Sequence, residues 1–346
     1  MQQKISGYSQ WPFYLLACIS IIGLLAQLPI LASASQPRWQ AYHFGYQADS
    51  RPYFVYTPQH YQLGTAVPLV VMLHGCTQTA ADFAAGTHMN QLAEQDNFIV
   101  VYPQQVSTAN GDECWNWFEP VNQARGSGEA AIIVGIVHTI EQNTARWTID
   151  SNRIYVAGIS AGAALSVILG ATYPDVFAAI GVHSGFEYQA ATSAAGVVQA
   201  SEQGGPAPAQ QGLIAFAAMG AYARIVPTIV FHGSSDAVIH PLNGDQVVQQ
   251  WMRTDSLASH GTYRADFQHP STTSKEQVPG GYQYTVHTWN DNGGNEVQEY
   301  WIINGMGHAW SGGSYGSSYT DPQGPDASQA MVTFFLSHPM NYAVSL

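Results

Sequence analysis

The feature of this sequence that most constrains its fold is a serine held between glycines, where a buried strand meets a helix. Residues 154–157 form an apolar, β-branched run typical of a buried strand, and an alanine-rich helical segment occupies 161–172. Between them, Gly158-Ile159-Ser160-Ala161-Gly162 fits the pattern GxSxG. The match alone is weak in a chain with 33 glycines, but its context predicts a nucleophile elbow at Ser160.

Strand-like apolar runs alternate with helical segments along the chain after residue 36. The strand-like runs are 53–56, 69–73, 98–102, 154–157, 178–182 and 228–231, and the helical segments are 79–95, 128–143, 161–172, 244–251 and 328–337. Two β-rich runs around residues 290–295 predict a hairpin over 282–303, whereas the conformation of 190–218 is left open. The alternation predicts a mostly parallel central sheet covered by helices on both faces, and with the elbow it indicates the α/β-hydrolase fold.

A general base and an orienting acid are expected downstream of such a serine. A buried strand-like run ends just before Asp236, so this carboxylate should emerge at the carboxyl edge of the sheet, beside the elbow. Asp245 and Asp255 are alternatives, but they fall within or after the next helical segment and are expected to face solvent. His308 follows a predicted strand in a glycine-rich turn, which completes the α/β-hydrolase order of serine, acid and histidine. Three other histidines are interpreted as structural or rim residues: His74, His232 and His240.

Backbone amides that stabilise an oxyanion are expected at two positions. The helix after Ser160 directs its N-terminal N–H groups toward the site, which makes the N–H of Ala161 one donor. The apolar run 69–73 opens into a loop at the position from which α/β-hydrolases supply the second donor. Cys76 is the first choice for that donor and Thr77 the second.

Composition excludes several classes of function. Only 10% of the residues are charged and the formal net charge is −13, so neither a phosphate backbone nor an anionic membrane surface should attract the chain. No nucleic-acid partner is expected. The sequence contains no HExxH, paired CxxC or P-loop motif, so neither a metal nor another cofactor is expected. The oligomeric state is not predicted.

The first 34 residues have the features of a signal peptide. A lysine precedes an apolar run over 11–31, and Ala32-Ser33-Ala34 has the small-x-small form of a cleavage site. The alternatives are an uncleaved membrane anchor and a lipoprotein modified at Cys18. Cleavage leaves Cys76 and Cys114, for which one disulfide is expected, with two buried thiols as the alternative. We therefore expect a secreted protein, extracellular or periplasmic, with no stable membrane association and one catalytic domain over residues 35–346.

Six blocks of sequence, which agree in order over about residues 53–335, carry a resemblance to one known family. They are Leu-His-Gly-Cys-Thr-Gln-Thr at 73–79, Cys-Trp-Asn-Trp-Phe at 114–118, the elbow at 158–162, Gly-Met-Gly-His-Ala-Trp-Ser-Gly-Gly at 305–313, Thr-Asp-Pro at 320–322 and Gly-Pro-Asp-Ala at 324–327. Together they resemble the extracellular poly(3-hydroxybutyrate), or short-chain-length polyhydroxyalkanoate, depolymerase family of esterases. The resemblance implies the same catalytic residues, an oxyanion amide from Cys76 and a disulfide between Cys76 and Cys114.

The resemblance also implies an activity. A family member would be a serine esterase that hydrolyses poly(3-hydroxybutyrate) or short-chain 3-hydroxyalkanoate oligomers through an acyl-enzyme. Polymer-degrading members commonly add a polymer-binding domain, which is not expected here because the chain stops soon after its last predicted helix. Feruloyl and acetylxylan esterases share the fold and triad, so they are the rival hypothesis. A secreted binding protein on an inactive hydrolase scaffold is a third. Trp115, Trp117 and Trp310 are candidates for an acyl-binding crevice, with a packed aromatic shell as the alternative.

Overall fold

The computed structural model describes residues 38–47 and 49–340, so the predicted signal peptide and its alternatives lie outside the described residues. The strands are β1 Trp39–Tyr46, β2 Asp49–Tyr56, β3 Val67–Leu73, β4 Ile99–Pro103, β5 Ile149–Ile159, β6 Ala179–His183, β7 Thr228–Gly233, β8 Thr272–Gln277, β9 Gln283–Asn290, β10 Glu296–Ile303, β11 Trp310–Ser311 and β12 Thr320–Asp321. The α-helices are α1 Ala80–Thr87, α2 Met89–Asp96, α3 Gly128–Gln142, α4 Ala161–Thr172, α5 Ala194–Gln203, α6 Pro208–Met219, α7 Leu242–Ala258 and α8 Ala327–Ser337.

One large sheet organises these elements, with the strand order β1-β2-β4-β3-β5-β6-β7-β10-β9-β8. Strands β4, β3, β5, β6, β7 and β10 run parallel to their neighbours in that series. The antiparallel pairs lie at the two sides of the sheet. The predicted mostly parallel sheet is therefore confirmed, and β1, which was not predicted, adds an antiparallel edge strand.

The two faces of the sheet are covered by different helices. Alternate side chains of a strand point to opposite faces, so they pack against different sets of helices. In β3, Leu69 and Val71 pack in a hydrophobic cluster with α3, α4, α6 and α7. Val70 and Met72 pack in a second cluster with α1, α2 and α8. Every residue of β3 is buried, as is usual for a parallel strand covered on both faces.

The helical segment predicted over 79–95 is two helices, which corrects the expectation of a continuous helix. His88 separates α1 from α2 in the left-handed conformation, with φ of 59° and ψ of 10°. The turn lets both short helices pack against β4, while α2 also reaches α8. Helical spacing continues through His88, so the sequence pattern alone does not reveal this break.

The predicted hairpin over 282–303 is confirmed as the antiparallel pair β9 and β10. Its turn is closed by the N–H of Asp291, which donates to the carbonyl of Asn295 at 2.7 Å. The segment 190–218 contains α5 and most of α6, and both helices pack against α7.

The parallel strands end at the same edge of the sheet, and the candidate site residues follow them there. Ser160 comes directly after β5, Asp236 lies three residues after β7, and His308 lies five residues after β10. His74 follows β3 at the same edge. Within residues 38–47 and 49–340, no helix combines the length and the apolar character needed to cross a membrane.

Candidate active site

Ser160 occupies a sharp turn between β5 and α4. Its backbone has φ of 57° and ψ of −123°, a conformation that non-glycine residues rarely adopt and that must be held by the surrounding structure. The N–H of Ser160 donates to the carbonyl of His183 on the neighbouring strand β6 at 3.0 Å, and the carbonyl of Ser160 accepts from the N–H of Ala164 at 3.0 Å. These bonds fix the turn from both sides, as the predicted elbow requires.

The glycines that flank Ser160 are required by close backbone packing. A Cβ atom on Gly162 would clash with the carbonyl oxygens of Leu73 and His74. One on Gly158 would lie 2.5 Å from the carbonyl carbon of Gly162. The strand, the turn and the first turn of α4 therefore approach one another at distances that exclude any side chain at these two positions.

The predicted acid and base form a hydrogen-bonded pair. Asp236 Oδ2 lies 2.8 Å from His308 Nδ1, and Asp236 Oδ1 accepts the N–H groups of Val238 at 2.9 Å and Ile239 at 2.8 Å. Burial opposes ionisation of Asp236, but the bond and charge of His308 and the backbone N–H groups outweigh it and lower the pKa of the carboxyl. Because an ionised carboxylate can only accept, Nδ1 of His308 carries a proton, and in the neutral imidazole Nε2 is then free to accept.

The structure does not join Ser160 directly to this pair. Among the described residues, the Ser160 hydroxyl makes no hydrogen bond to His308, although both residues lie at the same edge of the sheet. Catalytic hydrogen bonds are often long in ligand-free enzymes and shorten when substrate binds.

The loop after β3 packs beside the elbow and leaves one amide available. A Cβ on Gly75 would lie 3.4 Å from the Cβ of Ser160. The N–H of Gly75 donates to Gln78 Oε1 at 2.9 Å, and the N–H of Thr77 donates to the carbonyl of Asp112 at 2.7 Å. The expectation that Thr77 is the alternative oxyanion donor is therefore wrong, because its N–H already has an acceptor. In the described part of the chain, the N–H groups of Cys76 and Ala161 have no such acceptor.

The direction of the Cys76 N–H is set by the carbonyl on the other side of the same peptide bond. His74 Nε2 accepts the N–H of Gln105 at 3.0 Å, so its Nδ1 carries the proton and donates to the carbonyl of Gly75 at 2.8 Å. Burial lowers the pKa of His74 to about 4, which keeps the imidazole neutral. Since the C=O and N–H of a trans peptide point in opposite directions, the Cys76 N–H points away from His74.

A disulfide joins Cys76 to Cys114, with 4.1 Å between the Cα atoms and a sequence separation of 38. The disulfide prediction is confirmed, and the alternative of two free thiols is wrong for this structure. The bridge ties the loop after β3 to the segment around Trp115.

The three tryptophans proposed as a crevice are packed inside the protein. Trp115 donates from Nε1 to the carbonyl of His74 at 3.0 Å, and the Trp117 ring stacks on Phe186 with 4.5 Å between ring centroids. Trp310 donates from Nε1 to Ser328 Oγ at 3.1 Å. All three are at most 4% exposed, so the crevice expectation is corrected in favour of the packed aromatic shell.

The alternative acids are engaged elsewhere, and their expected exposure to solvent is wrong. Asp255 is fully buried and accepts the N–H of Val226 at 3.0 Å. Asp245 is partly buried and accepts the hydroxyl of Tyr300 at 3.0 Å. The buried face of α7 includes polar as well as apolar residues, so an acidic residue on this helix need not face solvent.

Sequence reasoning missed three polar residues: Gln78 holds the loop after β3, and Gln105 and Glu129 hold the segment around Cys114 that the disulfide ties to that loop. Gln78 bridges Gly75 N–H to the carbonyl of Ser318 through its two side-chain atoms, at 2.9 Å each. Gln105 donates to Glu129, which also accepts the N–H of Asn116 at 2.7 Å. Burial raises the pKa of Glu129 to about 7 despite these bonds. Gln78 lies within a block quoted for the family resemblance, whereas no local pattern marks Gln105 or Glu129.

The strand order, the elbow and the acid–base pair define a protein of the α/β-hydrolase fold. The family model described as "Esterase PHB depolymerase" matches residues 52–270, a range that includes Ser160 and Asp236 and ends before His308. The chain belongs to this family.

Two relatives and one solved structure extend the comparison. The chain is 35% identical to poly(3-hydroxyalkanoate) depolymerase C of Paucimonas lemoignei over 82% of its length and 30% identical to probable acetylxylan esterase A of Neosartorya fischeri over 73%. It spans 66% of each relative's own length. The acetyl xylan esterase from Aspergillus awamori superposes with a TM-score of 0.64 at 24% identity, covering 79% of this chain and 94% of that one, which establishes the shared fold.

Proposed function

We propose that this protein is a secreted serine esterase in which Ser160 is the nucleophile, His308 the general base and Asp236 the residue that orients it. The observation that carries the proposal is the 2.8 Å bond between Asp236 and His308 at the sheet edge where Ser160 stands on a strained elbow. An imidazole held with Nδ1 protonated and Nε2 free is the form that accepts a proton from a serine.

The reaction follows from these groups. His308 Nε2 takes the Ser160 hydroxyl proton as Ser160 Oγ attacks the ester carbonyl carbon, and the resulting oxyanion accepts hydrogen bonds from the N–H groups of Cys76 and Ala161. The tetrahedral intermediate then expels the alcohol, which receives the proton from His308. His308 then takes a proton from water as the water oxygen attacks the acyl carbonyl carbon. The second tetrahedral intermediate breaks its bond to Ser160 Oγ and releases the acid, and His308 returns the proton to Ser160 Oγ.

The preferred substrate under this proposal is the ester bond of poly(3-hydroxybutyrate) or of short 3-hydroxyalkanoate oligomers. The family match and the depolymerase relative support this choice. The alternative is an acetyl or feruloyl ester of plant cell-wall carbohydrate, which the acetylxylan esterase relative favours. The fold and the triad do not discriminate between these substrates.

The disulfide supports the secretion part of the proposal. Structural disulfides form in oxidising compartments and are rare in reducing ones, and Cys76 and Cys114 form one at the edge of the site. Measurement of the mature N-terminus by mass spectrometry tests the proposal, because cleavage after Ala34 is expected. A chain that retains residues 1–34 would contradict it.

The activity is tested by comparing products from four substrates: 3-hydroxybutyrate oligomers, amorphous poly(3-hydroxybutyrate), acetylated xylan and methyl ferulate. Release of 3-hydroxybutyrate as the fastest reaction is expected. Release of only acetate or ferulate would instead identify carbohydrate esters as the substrates. Failure to hydrolyse all four, and 4-nitrophenyl acetate as well, would refute the esterase proposal and favour a binding protein on an inactive scaffold.

The nucleophile is tested by Ser160→Ala, with Ser166→Ala as the matched control. Ser160→Ala is expected to lower kcat by about 10³-fold or more because no acyl-enzyme can form. Ser166 is buried in α4, and within the described residues its hydroxyl hydrogen-bonds only to the carbonyl of Gly162, so its removal should leave turnover nearly unchanged. Circular dichroism of both variants should match the unaltered protein. Substantial turnover by folded Ser160→Ala would contradict the assignment.

A further inference from the structure

A fully buried histidine, His183, touches two elements of the proposed site without reaching any reacting atom. It is the last residue of β6 and lies between the strands that precede Ser160 and Asp236. Its backbone carbonyl accepts the N–H of Ser160 at 3.0 Å. Its side-chain Nε2 lies 3.0 Å from the N–H of Ser311, three residues beyond His308.

The direction of that second bond fixes the state of the ring. A backbone N–H can only donate, so Nε2 of His183 accepts the N–H of Ser311 and Nδ1 carries the proton. Nδ1 lies 3.2 Å from the hydroxyl of Ser184, which can accept it. Burial, together with the neighbouring imidazoles of His232 and His308, lowers the pKa of His183 well below its ordinary value, although Asp236 opposes the shift. The ring is therefore a neutral acceptor.

The segment that His183 contacts is the one that carries the general base. Trp310, between His308 and Ser311, stacks on the His183 ring with 5.1 Å between centroids and an interplanar angle of 26°. Trp310 also makes a T-shaped contact with Phe83, with 5.3 Å between ring centroids. Ser311 is buried, so without His183 its N–H would lose its only hydrogen-bonding partner in the described part of the chain.

We infer that His183 is a positioning residue that sets the location of His308 relative to Ser160, because one residue binds the main chain of the nucleophile and the main chain of the base loop. This inference rests on the proposed esterase function. His232 is bonded in a similar way to the acid loop, where its Nε2 donates to the carbonyl of Ile239 at 2.9 Å, but among the described residues its side-chain hydrogen bonding does not reach the segment of His308.

Two variants distinguish the effect of the hydrogen-bond acceptor on the His183 side chain from the effect of the side chain's volume. His183→Phe keeps a ring that can stack on Trp310 but removes the acceptor, whereas His183→Gln places an amide oxygen near the former Nε2. We expect His183→Phe to lower kcat by about 10-fold or more, since a misplaced general base forfeits part of its 10²- to 10⁴-fold contribution. His183→Gln is expected to recover most of that loss, with KM little changed in both variants.

The choice of ester distinguishes a misplaced base from general destabilisation. His308 must protonate the departing alcohol, and an alkoxide needs that proton far more than 4-nitrophenolate does. The loss in folded His183→Phe should therefore be several-fold larger for an ethyl ester than for the 4-nitrophenyl ester of the same acid. Equal losses for the two esters, or an unchanged kcat, would overturn the inference.

Crystal structures of the two variants give a readout that does not depend on turnover. The loop 304–311 is expected to shift relative to Ser160 in His183→Phe and to keep its place in His183→Gln. Superposable loops in both would overturn the inference. If the unaltered protein hydrolyses no ester, the proposed function fails, and the loop position still decides whether His183 holds the segment of His308.

Discussion

Removal of the Cys76–Cys114 disulfide should destabilise the protein more than it impairs the site. The bridge closes a loop over a sequence separation of 38. Loop-closure entropy for this length predicts a loss of about 4 kcal/mol in the free energy of unfolding at 25 °C, because the unfolded chain gains freedom when the link is absent. The appropriate variant is Cys76→Ser/Cys114→Ser, since a single replacement would leave a reactive thiol at the site.

The folded loop has other attachments that should preserve activity in this variant. The Gly75 carbonyl is held by His74, and the N–H groups of Gly75 and Thr77 are held by Gln78 and Asp112. These contacts orient the Cys76 amide, which remains when its side chain becomes serine. We expect kcat to fall by less than about 10-fold, well short of the 10²- to 10³-fold cost of losing an oxyanion donor.

Urea unfolding monitored by circular dichroism measures the first effect, and 4-nitrophenyl acetate hydrolysis measures the second. The transition midpoint should fall by about 1 to 2 M, given that denaturant slopes for proteins of this kind lie near or above 2 kcal/mol per molar urea. The unaltered protein unfolded under reducing conditions should match the double variant. An unchanged midpoint would refute the entropic argument, and a 10²-fold loss of kcat in the folded variant would refute the claim that the other contacts hold the amide.

Two further predictions concern packing and pH. Gly162→Ala should lower the free energy of unfolding by about 3 kcal/mol or more, because the added methyl group meets the carbonyl of Leu73. The control Gly111→Ala adds a methyl group in open space and should change the free energy of unfolding by less than about 1 kcal/mol. Urea unfolding measures both variants. Burial raises the pKa of Glu187 to about 9, so the unfolded state loses its proton first and the folded protein loses stability as pH rises from about 4.5 toward 9. Glu187→Gln should flatten that decline between pH 5 and pH 8.5, while Gln at the exposed Glu202 should not; parallel declines for all three proteins would contradict the argument.

The parts of the fold that repeat a local pattern could be predicted from the sequence. Apolar runs located the strands that carry Ser160 and Asp236, and α4 begins at Ala161 and ends at Thr172, as its composition predicts. Asparagine and glycine marked the turn between β9 and β10. The break at His88 was missed because a single left-handed residue leaves the apolar spacing of the segment unchanged.

Side-chain direction was harder to predict than element type. Trp115 and Trp310 lie next to residues of the site in sequence, but their rings point into the core, where each N–H finds an oxygen acceptor. Asp255 was expected to face solvent because it follows a helical segment, yet the backbone N–H of Val226, which is distant in sequence, donates to it in the interior. Such partners come from segments remote in sequence, so spacing within one segment carries no information about them.

The sheet geometry explains why the base needs more support than the nucleophile or the acid. Ser160 follows β5 and Asp236 follows β7, so the strand order of the sheet places the ends of these two strands two strand spacings, or about 10 Å, apart. His308 follows β10, three strands from β5 and about 14 Å away, which is too far for a proton transfer. The segment 304–311 must therefore return across the ends of β7 and β6. Two contacts made along that return path are those of Asp236 with His308 and of His183 with Ser311, and the second is anchored on the residue that also holds the nucleophile.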